Sequence, residues 1–371
     1  MNFDFSDEQN QLRDAVQRWV DKGYRFVRRR AIVAAGGFSR EAFAELAELG
    51  LCGLCVPENH DGLGMGPIEA MVVMEQFGAG LVLEPLTQCL MSSSVLTRFA
   101  PQTVQSQWLP RIASGEALMV LAHQERGNRY RLDKCESNAT LAHTEYALTA
   151  TKNIVPAGDQ ADAFLVPAML DGQLALFLVA RTAPGVSSRG YGTQDGSRAA
   201  DVHFVNAPAT LITTDGLAAL ELTVDVGLAA SCAEGVGVMD KTLLLTADYL
   251  NTRKQFGVAI GSFQALRHRI ADMKMQLELA RSMSYYASLK LAAPTPERRA
   301  AMARAKVQLG QSMRFVGQQA VQLHGGIGVT DEYIVSHYFK KLTQLEISFG
   351  DTLHHLGEVS ERMTETAGVF A

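Results

Sequence analysis

The sequence predicts a mainly α-helical protein with a central β module. An N-terminal helical domain is expected over residues 1–117, a middle antiparallel β-barrel or sandwich over 118–211, and a C-terminal four-helix bundle over 212–371. Three observations lead there. Apolar residues recur every three or four positions in the first and last zones, and alternate with polar ones in the middle. No proline interrupts Ile212 to Ala293, so long helices are permitted there.

Ser6 and Gln9 have the spacing of a capping box, and Leu12, Val16, Trp19 and Val20 follow on one helical face. Ser39 can cap a helix ending at Gly50, and Pro67 suits the first turn of a helix carrying Met71, Met74 and Phe77. Residues 57–64 read as a loop. In the middle zone Tyr146, Leu148 and Ala150 alternate with Glu145, Thr149 and Thr151. Asp171-Gly172 joins two apolar runs, 163–170 and 173–180, which signals a hairpin, and 201–205 is a further strand. In the last zone Phe263, Leu266, Ile270, Met273, Leu277 and Ala280 form a stripe expected to be buried along its length. Met313, Val316, Ala320 and Leu323 repeat the pattern on a later helix, and frequent alanine and glycine allow close helix packing.

The chain has 371 residues, 47% of them hydrophobic and 20% charged, with a net charge of −5. That balance offers no basic field for nucleic acid or an acidic membrane. The basic runs 28–30 and 298–299 are expected to be solvated helix faces. Met1 to Glu8 is acidic where a signal peptide is basic, and no uncharged apolar run approaches the roughly 18 residues of a membrane span. Cys52 and Cys55 have CxxC spacing but no second pair, and the nine histidines form no HExxH motif. A cytoplasmic protein without a metal site is expected.

The most informative segment runs from Tyr249 to Gly257, followed by Gly261-Ser-Phe-Gln264. An arginine and an aromatic residue at a helix end, with a second helix starting soon after, suit the diphosphate end of a nucleotide. Guanidinium presents a fork of donors to phosphate oxygens, and a ring packs on a flat group. Gln322 to Gly328 adds a Gly-Gly turn. A blander reading makes Phe256 and Phe263 core residues, Arg253 a cation at a helix C-terminus, and the glycines a helix stop.

These segments, with Leu49 to Glu58 and the order of helices, β module and helices, resemble the acyl-CoA dehydrogenase flavoproteins over nearly the whole chain. The resemblance implies FAD as cofactor and α,β-desaturation of an acyl-CoA thioester. A glutamate takes the α proton, and the β hydrogen leaves as hydride to the flavin. It also implies FAD bound across a subunit interface, one subunit holding the ring and the base while its neighbour holds the diphosphate and adenine. Arg253, Gln255, Phe256, Gln264, Gln322, Gly325 and Gly326 match the neighbour's cofactor-binding residues.

The ring-binding side departs from the family pattern. Phe349 occupies the usual glutamate position, and Asp351 and Leu353 replace a threonine and a glutamine. An alternative base position is Gly227, beside Leu228 where an arginine is usual. Gln124, Ile154, Pro156 and Tyr130 stand where flavin- or CoA-side residues are expected. Asp225, Glu234, Glu346 and Asp351 are the nearest acids that could replace the base; His354-His355 is expected to cap or solvate the last helix. No catalytic residue is assigned. The pattern most resembles the small subunits of heteromeric enzymes of the pimeloyl-CoA dehydrogenase type. A paralogous dehydrogenase subunit, in a dimer or heterotetramer, and an electron-transferring flavoprotein are the implied partners. A self-sufficient homo-oligomer with an unusual acid and a silent scaffold subunit are the alternatives.

Overall fold

Ser6 starts the first helix: its Oγ accepts from Gln9 N at 3.2 Å while Gln9 Oε1 accepts from Ser6 N at 2.9 Å. The computed structural model describes residues 4–142 and 145–366. Helices α1 (Asp7–Gly23), α2 (Phe26–Ala34), α3 (Arg40–Glu48), α4 (Pro67–Gly80), α5 (Leu86–Phe99) and α6 (Gln102–Ala113) precede the strands. Ser39 caps α3 through Ala42 N, and Pro67 opens α4. Strands β1 (Met119–Leu121), β2 (Asn138–Ala142), β3 (Glu145–Pro156), β4 (Ala163–Leu170), β5 (Gln173–Ala180), β6 (Val186–Gly192) and β7 (Arg198–Thr213) follow. The remainder is α7 (Gly216–Thr252), a small hairpin β8 (Lys254–Gln255) and β9 (Val258–Ala259), then α8 (Gln264–Lys290), α9 (Thr295–His324), α10 (Ile334–Ile347) and α11 (Thr352–Thr366).

The chain forms two compact units. One comprises Arg30–Gly66 and Leu83–Gly227 and contains the β module. Its sheet runs β1-β4-β2-β3-β7-β5, and β5 returns to pair with β4, so the sheet closes on itself as a barrel. It is antiparallel apart from β1 and β2, which run parallel to β4. Asp171 (φ +49°) and Gly172 (φ +81°) make the tight β4–β5 turn that the Asp-Gly pair predicts. The strand expected over 201–205 is part of β7, sixteen residues long. A bulge opposite Thr149 bends it: Asn206 adopts φ +48°, and its N–H donates to Thr149 Oγ1 at 3.2 Å.

Behind the barrel wall lies a buried ion pair, Lys152 Nζ to Glu125 Oε1 at 2.6 Å. Lys152 also donates to Pro167 O, and Glu125 accepts from Ser137 Oγ, Glu136 N and Asn128 Nδ2. Burial alone would raise the Glu125 pKa, but the Lys152 ammonium and these hydrogen bonds outweigh it and bring it down to about 2.

The second unit comprises Met1–Arg29, Pro67–Val82 and Leu228–Ala371. Here α8, α10 and α11 pack on α9, four helices in all, as the expected bundle has. Met313, Val316, Ala320 and Leu323 are buried as predicted. On α8, Met273, Leu277 and Ala280 are buried, but Phe263 at the helix cap is 40% exposed, so that stripe sinks only at its C-terminal end. The basic runs also depart from expectation. Arg29 is buried, donating to Leu81 O at 3.1 Å and meeting His337 Nδ1, while Arg298 and Arg299 are buried beside Thr295 and Glu358. Each guanidinium has found polar partners that local sequence does not reveal. An 18-residue window of α7 is apolar enough to cross a membrane, yet 72% of it is buried inside the protein.

Helices α4 and α7 approach backbone to backbone at two glycines. A Cβ on Gly237 would overlap Glu75 O, and one on Gly78 would overlap Glu234 O. Replacing Gly237 with alanine is expected to cost about 1–3 kcal/mol, read as a lower urea midpoint than wild type. The Glu125 pair gives a second expectation. Because its folded pKa is depressed, its contribution is full above the ordinary value of 4.5 and is lost as pH falls toward 2, on the order of 3 kcal/mol. Lys152→Met leaves a buried carboxylate unpaired and is expected to lower stability by about 3–5 kcal/mol at pH 7. Urea unfolding at pH 7 and pH 3 should show the variant gaining on wild type in acid.

Candidate functional site

Helix α7 ends at Thr252, and Arg253 follows with its N–H donating to Tyr249 O at 2.8 Å. The next residues form the β8–β9 hairpin, in which Gln255 faces Val258. Both turn residues have positive φ, Phe256 at +53° and Gly257 at +80°. Such a turn favours Asn-Gly or Asp-Gly, so phenylalanine there is strained. The strain points a ring outward: Phe256 is 90% exposed, edge-on to Phe263 with centroids 6.2 Å apart. Neither is a core residue, so the bland reading fails for this pair. Arg253 is exposed, and among the described residues its guanidinium has no ion-pair partner.

Gly261 lets the chain turn back against α7, since a Cβ there would lie 2.9 Å from Asn251 Oδ1 and 3.0 Å from Leu250 O. Two residues later Phe263 caps α8 without a side-chain hydrogen bond. Exposed Gln264 therefore stands at a helix N-terminus whose first N–H groups lack intrahelical acceptors and carry positive partial charge.

Helix α9 delivers the other part. Gln322 is exposed on its last turn, and Gly325 takes φ +65°, ψ −141°, a conformation open in practice only to glycine. A Cβ on Gly325 or Gly326 would meet nothing of this chain within 4 Å. Packing within the chain thus does not require a glycine at 326, and the bare backbone leaves room for a group from outside. Tyr249 stacks on His324 at 4.5 Å and 28°, with Tyr333 tilted against the histidine at 5.3 Å. This contact ties the ends of α7 and α9 together, placing Arg253 one turn beyond Tyr249 and Gly325 directly after His324.

Sequence reasoning did not single out His324. Its Nδ1 lies 2.8 Å from Ala320 O, which can only accept, so the proton is assigned to Nδ1. Burial lowers its pKa and keeps the ring neutral.

The β module shows few donors where the ring of a flavin is expected. Ile154 sits at the bulge between Lys152 and Val155 with φ +53°, its side chain 57% exposed, and its N–H spent on Asp201 Oδ1 at 3.3 Å. Pro156 has no N–H. The Gln124 carbonyl is taken by Asn153 N at 2.9 Å. Tyr130 lies under the Arg129 guanidinium, 5.8 Å from its ring centre.

Phe349 occupies the corner between α10 and α11 at φ +57°, followed by Gly350 at +112°. Lys306 donates to Leu345 O at 2.5 Å and Ser348 O at 2.7 Å, closing the end of α10, and burial lowers its pKa to about 8. Of the two histidines expected to cap or solvate the last helix, His355 is not solvated but buried under the corner, with Nε2 3.1 Å from Phe349 O. Burial brings its pKa to about 3.

The possible substitute acids are all engaged or enclosed. Glu234 pairs with Lys341 at 2.7 Å, and Glu346 accepts from Thr352 Oγ1 at 2.6 Å and pairs with Arg314 at 3.2 Å. Asp351 accepts from His354 N at 2.8 Å, as a helix cap does, and Asp225 is fully buried.

Comparison with known proteins bears on the fold and the family. Residues 6–116 match the acyl-CoA dehydrogenase N-terminal domain and residues 214–364 the C-terminal domain. Acyl-CoA dehydrogenase FadE27 of Mycobacterium tuberculosis is 29% identical over 350 residues, covering 89% of this chain and 89% of that protein. The crystal structure of the ChsE4-ChsE5 complex from Mycobacterium tuberculosis includes a chain 28% identical, with TM-score 0.90, covering 99% of this chain and 100% of that one. A chain from a variant of the Tcur3481-Tcur3483 steroid ACAD is also 28% identical with TM-score 0.90, covering 98% of this chain and 99% of that one. The two matched domains flank the closed barrel in the order expected from sequence, and the chain belongs to the acyl-CoA dehydrogenase family of FAD-dependent flavoproteins.

Proposed function

We propose that this chain is the non-basic subunit of an FAD-dependent acyl-CoA dehydrogenase assembly in the cytoplasm. It clamps the diphosphate and adenine of an FAD whose ring is held by an unlike, paralogous subunit carrying the glutamate base. The observation that carries the reading is the lopsidedness of the site. Arg253, the α8 N-terminus and the bare Gly325-Gly326 backbone stand open to an anion, whereas Phe349, Ile154 and Pro156 offer neither base nor donor.

FAD, when bound, supplies the acceptor for the substrate's β hydrogen. Toward it, Arg253 gives a forked pair of N–H donors to the diphosphate, Gln255 and Phe256 flank it, and Gln264 and Gln322 hydrogen-bond the nucleotide. The two glycines let backbone approach where a side chain would intrude. The α proton of the acyl-CoA goes to the partner's carboxylate, since Phe349 cannot accept one. Loss of a general base alone costs roughly 100- to 10,000-fold in rate. An electron-transferring flavoprotein is the expected acceptor of the electrons. The complexes named among the relatives are compatible with a heteromer.

Arg253→Ala in the co-purified complex tests the clamp. The expected result is loss of most bound flavin on gel filtration, with FAD affinity falling about tenfold or more and assembly intact. Unchanged flavin retention would favour a scaffold subunit instead.

A further inference from the structure

The buried ion pair of the β module has a third member that the pair itself does not need. Lys152 Nζ carries three hydrogens and meets three acceptors: Glu125 Oε1 at 2.6 Å, Pro167 O at 2.9 Å and Cys135 Sγ at 3.9 Å. The Cys135 thiol in turn faces Pro167 O at 3.4 Å, Glu125 Oε1 at 3.6 Å and Ser137 O at 3.8 Å. An amine, a carboxylate and a thiol are thus held against one another. Lys152 and Glu125 are buried, whereas Cys135 is half-buried.

A small side chain filling space over an ion pair would be the ordinary explanation, but two observations go beyond packing. The sulfur is the member of the cluster that a small molecule can reach. With His123, Asn128, Lys134 and Pro167 it lines a recess of about 10 Å³, room for about one molecule of water's size. The sulfur also has no thiol to pair with: none of the five cysteines is in a disulfide, and the nitrogen against Cys135 is that of Lys152. Burial pushes the Cys135 thiol up, so it stays protonated at neutral pH and reacts slowly, under sustained rather than brief oxidation.

We propose that Cys135 and Lys152 form an oxidative cross-linking site, joined by a sulfur–nitrogen bond when the chain meets hydrogen peroxide. Peroxide first oxidises the thiol to a sulfenic acid: Cys–SH and H2O2 give Cys–SOH and water. The Lys152 ammonium passes a proton along its 2.6 Å hydrogen bond to Glu125, exchanging a buried ion pair for two neutral groups. The freed amine attacks sulfur, the S–O bond breaks, and the hydroxyl leaves as water with one amine proton. Cys–SOH and Lys–NH2 thus give Cys–S–NH–Lys and water, while Glu125 keeps the proton it received. The link fastens the chain just before β2 to β3, and it shields the sulfur from irreversible oxidation to sulfinic and sulfonic acids.

Treatment of the full native chain with hydrogen peroxide, then alkylation of free thiols and peptide mapping, tests the proposal. The expected product is a Cys135–Lys152 peptide pair, lighter by two hydrogen atoms than its separate peptides, with Cys135 lost to alkylation. Dithiothreitol should release the pair and restore the thiol, and Cys135→Ser should abolish the link. Lys152→Arg keeps a cation beside Glu125 but removes the nucleophilic amine, so its oxidised Cys135 should persist as a sulfenic acid that dimedone traps. Should that variant fail to fold, the maps of wild type and Cys135→Ser decide alone. Cys135 still alkylated after sustained peroxide, or carried on to sulfinic acid with Lys152 free, would overturn the link. None of these readings involves flavin or a second chain, so failure here is distinct from failure of the clamp.

Discussion

A diphosphate is solvated so strongly by water that a protein edge can hold it only with donors the fold has already fixed. For the proposed clamp the fixing contact is the stack of Tyr249 on His324, which ties the ends of two long helices together. Arg253 and the Gly325-Gly326 backbone each follow directly from one of those ends, so neither needs to be ordered when an anion arrives. The positive end of α8 comes after a hairpin only two residues wide on each side. Disturbing the stack would loosen these donors together, because they share one anchor.

The positions at which the family resemblance places the flavin ring are organised as firmly. The β3 bulge is stabilised by Asp201, which consumes the Ile154 N–H, and Pro156 has none to give. At the α10–α11 corner, Lys306 and His355 hold the carbonyls of Ser348 and Phe349. These are settled, well-bonded surroundings rather than decayed ones.

Much of the fold was legible because its signals are local. The Ser6–Gln9 capping box, the Asp171-Gly172 turn and the proline-free stretch from Ile212 each act within a few residues, and each element formed where those signals placed it. The residues of the proposed clamp stood out in the sequence because they fall in two short motifs. Illegible features depend on partners distant in sequence. Arg29 is buried because Leu81 O and His337 wait for it, and His355 is buried because Phe349 turns over it. Phe263 belongs to an apolar stripe by spacing, yet it stays partly exposed at the helix cap. The role of His324 was hidden because a histidine inside a helix gives no pattern until Tyr249 is seen lying on it.

The central claim concerns how flavin is shared between chains, so the ratio of FAD to polypeptide tests it most directly. The account predicts almost no flavin on this chain purified alone, and about one FAD per unlike pair after co-purification with a glutamate-bearing dehydrogenase subunit, with desaturation of an acyl-CoA only in the pair. One FAD retained per chain by the lone protein, together with turnover, would contradict it.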